Sequence, residues 1–146
     1  MNNIFKSLER VVVGKNYLGV LFIRLAFGFH LLYYSCSDVI NLSAGDNAEW
    51  LGSLGVPFPF FASWLYILAQ FFGGVLLIIG FKTRLISIPL IVTFLVAFFL
   101  VHAADPYKDS FQAIQMLAIS FFFLFNGSGK LSLDDYLKSK INGKEV

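Results

Sequence analysis

The feature that most constrains this chain is its first long apolar stretch, which runs from Tyr17 to Ile40. A helix of about 20 residues, rising about 1.5 Å per residue, crosses a hydrocarbon core about 30 Å thick. The stretch is therefore long enough to span a bilayer, yet it carries Arg24, His30 and Asp38, which are costly in hydrocarbon. A helical projection places Arg24 and Asp38 on one polar stripe and His30 on a second, about a third of a turn away. This pattern predicts a membrane helix that contacts more than one neighbour.

Composition supports a single membrane domain covering residues 1–146. The chain is 58% hydrophobic and 14% charged, whereas soluble domains carry about 25% charged residues. The net charge of +2 does not suggest a nucleic-acid partner. Cys36 is the only cysteine, which excludes an internal disulfide and a CxxC redox pair.

The apolar segments predict an all-α bundle of four transmembrane helices, at about residues 17–40, 60–80, 85–102 and 110–126, with a tail at 127–146. Between the first two spans, Asp46 and Glu49 have the D-x-x-E form of a capping box and predict a short interfacial helix. Ser132 and Asp135 predict the start of a last amphipathic helix. Residues 1–16 predict a brief helix on the membrane surface.

The lysines and arginines predict the orientation of the chain. Most lie before the first span, in the turn between the second and third spans, or in the tail: Lys6, Arg10, Lys15, Lys82, Arg84, Lys130, Lys138, Lys140 and Lys144. Lys108 is the only lysine or arginine in the two loops at the opposite end. By the positive-inside rule, both termini are predicted to be cytoplasmic.

Five polar side chains are predicted to gather in the outer half of the bundle: His30, Gln70, His102, Gln112 and Gln115. His30 lies about 20 Å from the inner end of its helix at the usual rise per residue, and Asp38 is expected above it at the outer rim. Three interpretations stay open. The side chains could hydrogen-bond between helices, worth about 0.6 kcal/mol each, form a ligand or quinone pocket, or form a proton path.

Arg24 has two possible environments. It lies about 10 Å from the inner end of its helix, so it could extend to the cytoplasmic headgroups or pair internally with a backbone carbonyl or an amide. The internal pairing is favoured because its stripe continues through Gly28 to Ser35. Two histidines, His30 and His102, give little support for metal or haem, and no motif identifies catalytic residues.

Several segments in order resemble the DoxX family: LFIRLAFGFHLLYYSCSDV, LGVPFPFFASWLYILAQFFGGVLLIIGFKTRL, FLVAFFLVHAAD, FQAIQML and GSGKLSLDDYL. The resemblance covers about residues 17–137. It implies a four-helix protein of the bacterial inner membrane, similar to small membrane subunits of oxidoreductases such as thiosulfate:quinone oxidoreductase. Residues at recurrent family positions are Arg24, His30, Gly73, Gly74, Arg84, His102 and Gly127.

The chain departs from the family pattern where many members have glutamate, because Gln70 and Gln112 stand in the second and fourth spans. An amide cannot exchange a proton at physiological pH, which weakens the proton path but not a binding pocket. The expected function is thus a membrane subunit of a quinone-linked redox complex, in which His30 and His102 bind the quinone oxygens. The alternatives are a non-catalytic assembly subunit that docks a larger membrane or periplasmic partner and, less favoured, an oligomeric transporter of a small solute or protons.

Overall fold

The described part of the chain, residues 16–103 and 106–142 of a computed structural model, is built from helices alone. The helices are α1 (Asn16–Ile40), α2 (Ala44–Ser53), α3 (Pro59–Ile79), α4 (Thr83–Val96), α5 (Tyr107–Asn126) and α6 (Leu133–Asn142). A π-helical segment, Ala97–Val101, continues α4. Except for Asn16, the helix predicted for residues 1–16 falls outside the described residues.

Three helical segments are long and apolar enough to cross a membrane: Tyr17–Ile40, Pro59–Ile79 and Thr83–Val101. Their ends lie within two residues of the first three predicted spans. Helices of this length and apolarity indicate a membrane protein. Helix α5 covers the residues of the fourth predicted span and begins three residues earlier, but it is not among the three candidates. Its first turns carry Lys108 and Asp109, which lower its hydropathy.

The bundle forms where α1 packs against α3, and α4 packs against both α3 and α5. Small residues allow the first contact to be close. A Cβ atom built on Gly74 would lie 2.8 Å from the carbonyl oxygen of Gly28. At the centre, Phe27 of α1 stacks on Phe123 of α5, with ring centroids 6.2 Å apart, and also contacts Phe94 of α4 at 6.3 Å. Aromatic packing thus joins α1, α4 and α5.

The two short helices differ in how well their starts were predicted. Helix α2 exists, but the capping-box prediction is wrong, because α2 begins at Ala44 and places Asp46 in its first turn. Ser43 occupies the cap position without a side-chain hydrogen bond. Helix α6 begins as predicted: Ser132 accepts a hydrogen bond on Oγ from the backbone N–H of Asp135 at 3.1 Å, the geometry of an N-cap.

Candidate functional site

His30 and Gln112 form a polar contact between α1 and α5. The Nε2 atom of half-buried His30 lies 3.1 Å from the amide nitrogen of Gln112. In this orientation of the amide its nitrogen donates and Nε2 accepts, which corresponds to the neutral imidazole tautomer with its proton on Nδ1. No partner for Nδ1 is found among the described residues. The pair therefore retains one imidazole donor and the carbonyl oxygen of Gln112 for another molecule.

A shallow groove, largely open to its surroundings and lined by one helix alone, lies beside His30 on the surface of α1. It is lined by Ala26, Phe29, His30, Leu32, Tyr33, Tyr34 and Cys36. The His30 ring lies 4.8 Å from the ring of Tyr34, and the aromatic side chains of Phe29, Tyr33 and Tyr34 are exposed. In a bilayer such a face meets lipid, so the groove is accessible to molecules that diffuse within the membrane.

The other predicted pocket residues lie on different elements of the fold. Gln70 is half-buried near the middle of α3, and Gln115 is exposed on α5, about one turn beyond Gln112. Neither makes a hydrogen bond within the part of the chain that the structure describes. His102 is half-buried directly after the π-helical segment. Of the five predicted residues, the structure thus joins His30 and Gln112 by a hydrogen bond.

A second polar network joins α1, α2 and α3 beyond the far end of the groove. The hydroxyl of Tyr66 donates to the Oδ2 atom of Asp38, and the side-chain amide of Asn47 donates to the same hydroxyl at 3.4 Å. Asp38, Tyr66 and Asn47 are all half-buried. The sequence predicts Asp38 at the rim of the bundle but does not identify its partners.

Arg24 is the largest fully buried side chain of the described chain, with 2% of its surface exposed. Its Nη1 donates to the carbonyl oxygen of Ser128 at 2.7 Å, and its Nη2 donates to that of Leu131 at 2.8 Å. The internal pairing favoured by the sequence is therefore confirmed. The Nε atom is buried and has no hydrogen-bond partner within the described ranges.

Asp134 extends this contact to the turn between α3 and α4. Its Oδ2 accepts from the hydroxyl of Ser128 at 3.2 Å, and its Oδ1 accepts from the backbone N–H of Lys82 at 3.0 Å. Its own N–H donates to the carbonyl oxygen of Gly80 at 3.1 Å. We call this set the Arg24 cage: Arg24, Gly80, Ser128, Leu131 and Asp134.

The sequence signal for the cage was the GSGK segment that follows α5, which predicts only the end of a helix. Gly127 and Gly129 adopt positive φ values of 72° and 68°, a conformation that glycine tolerates best. The resulting turn directs the carbonyl of Ser128 toward Arg24. The sequence could not indicate the role of these carbonyls, because every residue has a backbone carbonyl.

Comparison with known proteins identifies one family. The model of the DoxX family matches residues 19–103, which is more than half of the 146-residue chain. The match extends from α1 through the π-helical segment and leaves α5 and α6 outside it. No curated protein and no solved structure matches the chain. Because this match covers more than half of the chain, the chain belongs to the DoxX family of membrane proteins.

Proposed function

We propose that this chain is a membrane subunit of a quinone-linked redox system, and that its groove receives the head group of a quinone or a similar small hydrophobic molecule. The contact between His30 and Gln112 carries the proposal, because it places polar groups with unused hydrogen-bonding capacity beside an apolar groove. Family membership supports it, since DoxX proteins are often linked to redox systems.

The chemistry of the groove suits a lipophilic molecule with carbonyl oxygens. The Nδ1–H of His30 can donate to one such oxygen, and Gln112 holds the imidazole in the tautomer that makes this possible. Phe29, Tyr33 and Tyr34 supply apolar surface for the ring. These side chains bind and orient, but they do not carry electrons. The redox centre then belongs to a second protein, membrane-bound or periplasmic.

For the membrane topology we propose four spans, with α5 as the fourth and both termini in the cytoplasm of a bacterium. The packing of α5 against α4, with Phe123 fully buried between helices, supports its place within the bundle. The concentration of lysine and arginine at one end supports the orientation. In this arrangement the Arg24 cage lies at the cytoplasmic end and the groove lies in the outer half.

The ligand proposal is tested by thermal unfolding of the purified protein in lipid nanodiscs, with and without a short-chain ubiquinone or menaquinone. Wild type is expected to unfold at a higher temperature when the quinone is present, since a ligand that binds only the folded state stabilises it. His30→Leu and Gln112→Leu are expected to lose this shift. The shift is compared within each variant, because both substitutions also remove an interhelical hydrogen bond.

Gln115→Leu provides the matched control. It is the same substitution as Gln112→Leu on the same helix, but at a glutamine without a hydrogen bond to His30. The increase in unfolding temperature caused by the quinone is therefore expected to remain. An equal quinone shift in His30→Leu and wild type would overturn the pocket. The contact would then be interhelical packing, and the assembly-subunit interpretation would be favoured.

A further inference from the structure

Helix α6 has an apolar face that no other described part of the chain covers. Four side chains form it, with exposed fractions of 37% for Leu133, 61% for Tyr136, 37% for Leu137 and 64% for Ile141. Their spacing of three and four residues places them on one side of the helix. Such a face is costly in water at about 25 cal/mol per Å² of apolar surface, so it needs a partner.

The position of α6 indicates what that partner is. Its first turn is tied to the turn between α3 and α4: Asp134 donates to the Gly80 carbonyl oxygen and accepts from the Lys82 N–H. Helices α3 and α4, the latter with its π-helical continuation, are both long and apolar enough to span the membrane. The turn that joins them therefore lies at a membrane surface. Helix α6 consequently starts at the boundary between headgroups and acyl chains.

The charges around α6 complement an anionic lipid surface. Lys138 and Lys140 are exposed on the helix, together with Asp135 near its start. Lys82 is exposed on the turn to which the helix is tied, and Arg84 is exposed in the first turn of α4. On a helical projection Lys140 falls beside Tyr136 and Leu133. A lysine at that position can place its stem on apolar surface while its ammonium group reaches phosphates.

We propose that α6 is an interfacial helix that inserts its apolar face into the headgroup–acyl boundary of an anionic leaflet. The Arg24 cage sets where it begins, because Arg24 binds the carbonyl of Leu131, two residues before the helix. The occupant of the face is a lipid surface, which matches an amphipathic helix whose apolar side includes Lys140, with Lys138 at its edge. This assignment is independent of the quinone groove.

Spin labels test this proposal in the full-length protein. Cys36, the only cysteine, is replaced in Cys36→Ser, and single cysteines are introduced as Leu137→Cys and Ile141→Cys on the apolar face. Ser139→Cys on the opposite face is the matched control. The proteins are reconstituted in vesicles of phosphatidylglycerol and phosphatidylcholine. Collision rates of each label are then measured with oxygen, which concentrates in lipid, and with a water-soluble nickel chelate.

Labels at 137 and 141 are expected to show a severalfold higher ratio of oxygen to nickel collisions than the label at 139. Equal, water-like ratios at all three positions would overturn the proposal, because the helix would then lie in solvent. The same labels are measured in membranes isolated from the producing cells. A label at 137 shielded there from both reagents would show that a protein covers the face, which also overturns the proposal.

Discussion

Arg24 and Ser128 are separated by 104 positions in the sequence, yet the Nη1 of one lies 2.7 Å from the carbonyl oxygen of the other. The bond joins the first membrane helix to the segment that follows the last helix of the bundle. A buried guanidinium is stable only when hydrogen-bonded, and hydrogen bonds to charged groups contribute about 1.5–3 kcal/mol each. Arg24 thus stabilises the end of the bundle and determines the path of residues 127–132.

Arg24→Leu is expected to lower the free energy of unfolding by several kcal/mol. It removes two hydrogen bonds from a charged group, each worth about 1.5–3 kcal/mol, and leaves the buried Ser128 carbonyl without a donor. Arg24→Lys should recover only part of the loss, because an ammonium group lacks the planar fork that reaches two carbonyls. Denaturant titration of the purified protein in mild detergent measures both effects.

Arg84→Leu is the control for Arg24→Leu. Arg84 is exposed and makes one hydrogen bond, from Nη2 to the carbonyl oxygen of Phe125 at 3.1 Å. Removing this bond should lower the free energy of unfolding by about 1 kcal/mol or less, because water can replace the exposed guanidinium as the donor. Equal effects of the two leucine variants would contradict the structural role assigned to Arg24.

The helices could be predicted from the sequence because the length of an apolar run is a local property. The first predicted span, 17–40, and the second, 60–80, each differ by one residue per end or less from α1 and α3. The start of α2 could not be predicted as well. Asp46 and Glu49 have the spacing of a cap, but the chain had already turned into a helix at Ala44.

Less of the candidate site could be predicted. The helical rise gives the depth of a residue in the membrane, but it does not give the rotation of each helix about its axis. His30 and Gln112 were expected at similar depth and are in contact. Gln70 was expected at a nearby depth, but it makes no hydrogen bond within the described part of the chain. The stripe of Arg24 indicated an internal partner. It could not identify Ser128 and Leu131, because a carbonyl acceptor has no sequence signature.

Gly80→Ala is expected to destabilise the protein strongly. Gly80 has a φ of +74°, and an added Cβ would lie 2.5 Å from the Nη1 of Arg24 and 2.6 Å from the Cβ of Ser132. The substitution combines backbone strain of about 1–2 kcal/mol with displacement of the buried guanidinium. Gly55→Ala separates the two effects, because Gly55 has a φ of +78° and open space around it. A melting temperature for Gly80→Ala no lower than for Gly55→Ala would exclude a tight Arg24 cage.

Gly74→Ala should weaken the contact between α1 and α3 more than Gly73→Ala weakens the contact between α3 and α4. A Cβ on Gly74 meets the backbone carbonyl oxygen of Gly28 at 2.8 Å, and backbone cannot move without separating the helices. The three atoms nearest to a Cβ on Gly73 all belong to the side chain of Leu90, the closest at 3.2 Å, and this side chain can adjust. Thermal unfolding of the two variants in the same detergent measures the difference. A larger loss for Gly73→Ala would show that α1 and α3 pack less closely than the 2.8 Å approach at Gly28 indicates.

Asp134→Ala is expected to release α6 while leaving the bundle folded. The substitution removes the acceptors for the Lys82 N–H and the Ser128 hydroxyl, so the backbone amides of residues 133–142 should exchange hydrogen faster, measured by mass spectrometry in detergent. Asp135→Ala is the matched control, because its exposed carboxylate makes no hydrogen bond in the described chain and lies in the same first turn. Both variants lose one charge near the helix N-terminus, which costs about 0.3–1 kcal/mol. Exchange that rises equally in both would mean that the helix dipole, rather than the tie to the turn between α3 and α4, holds α6 in place.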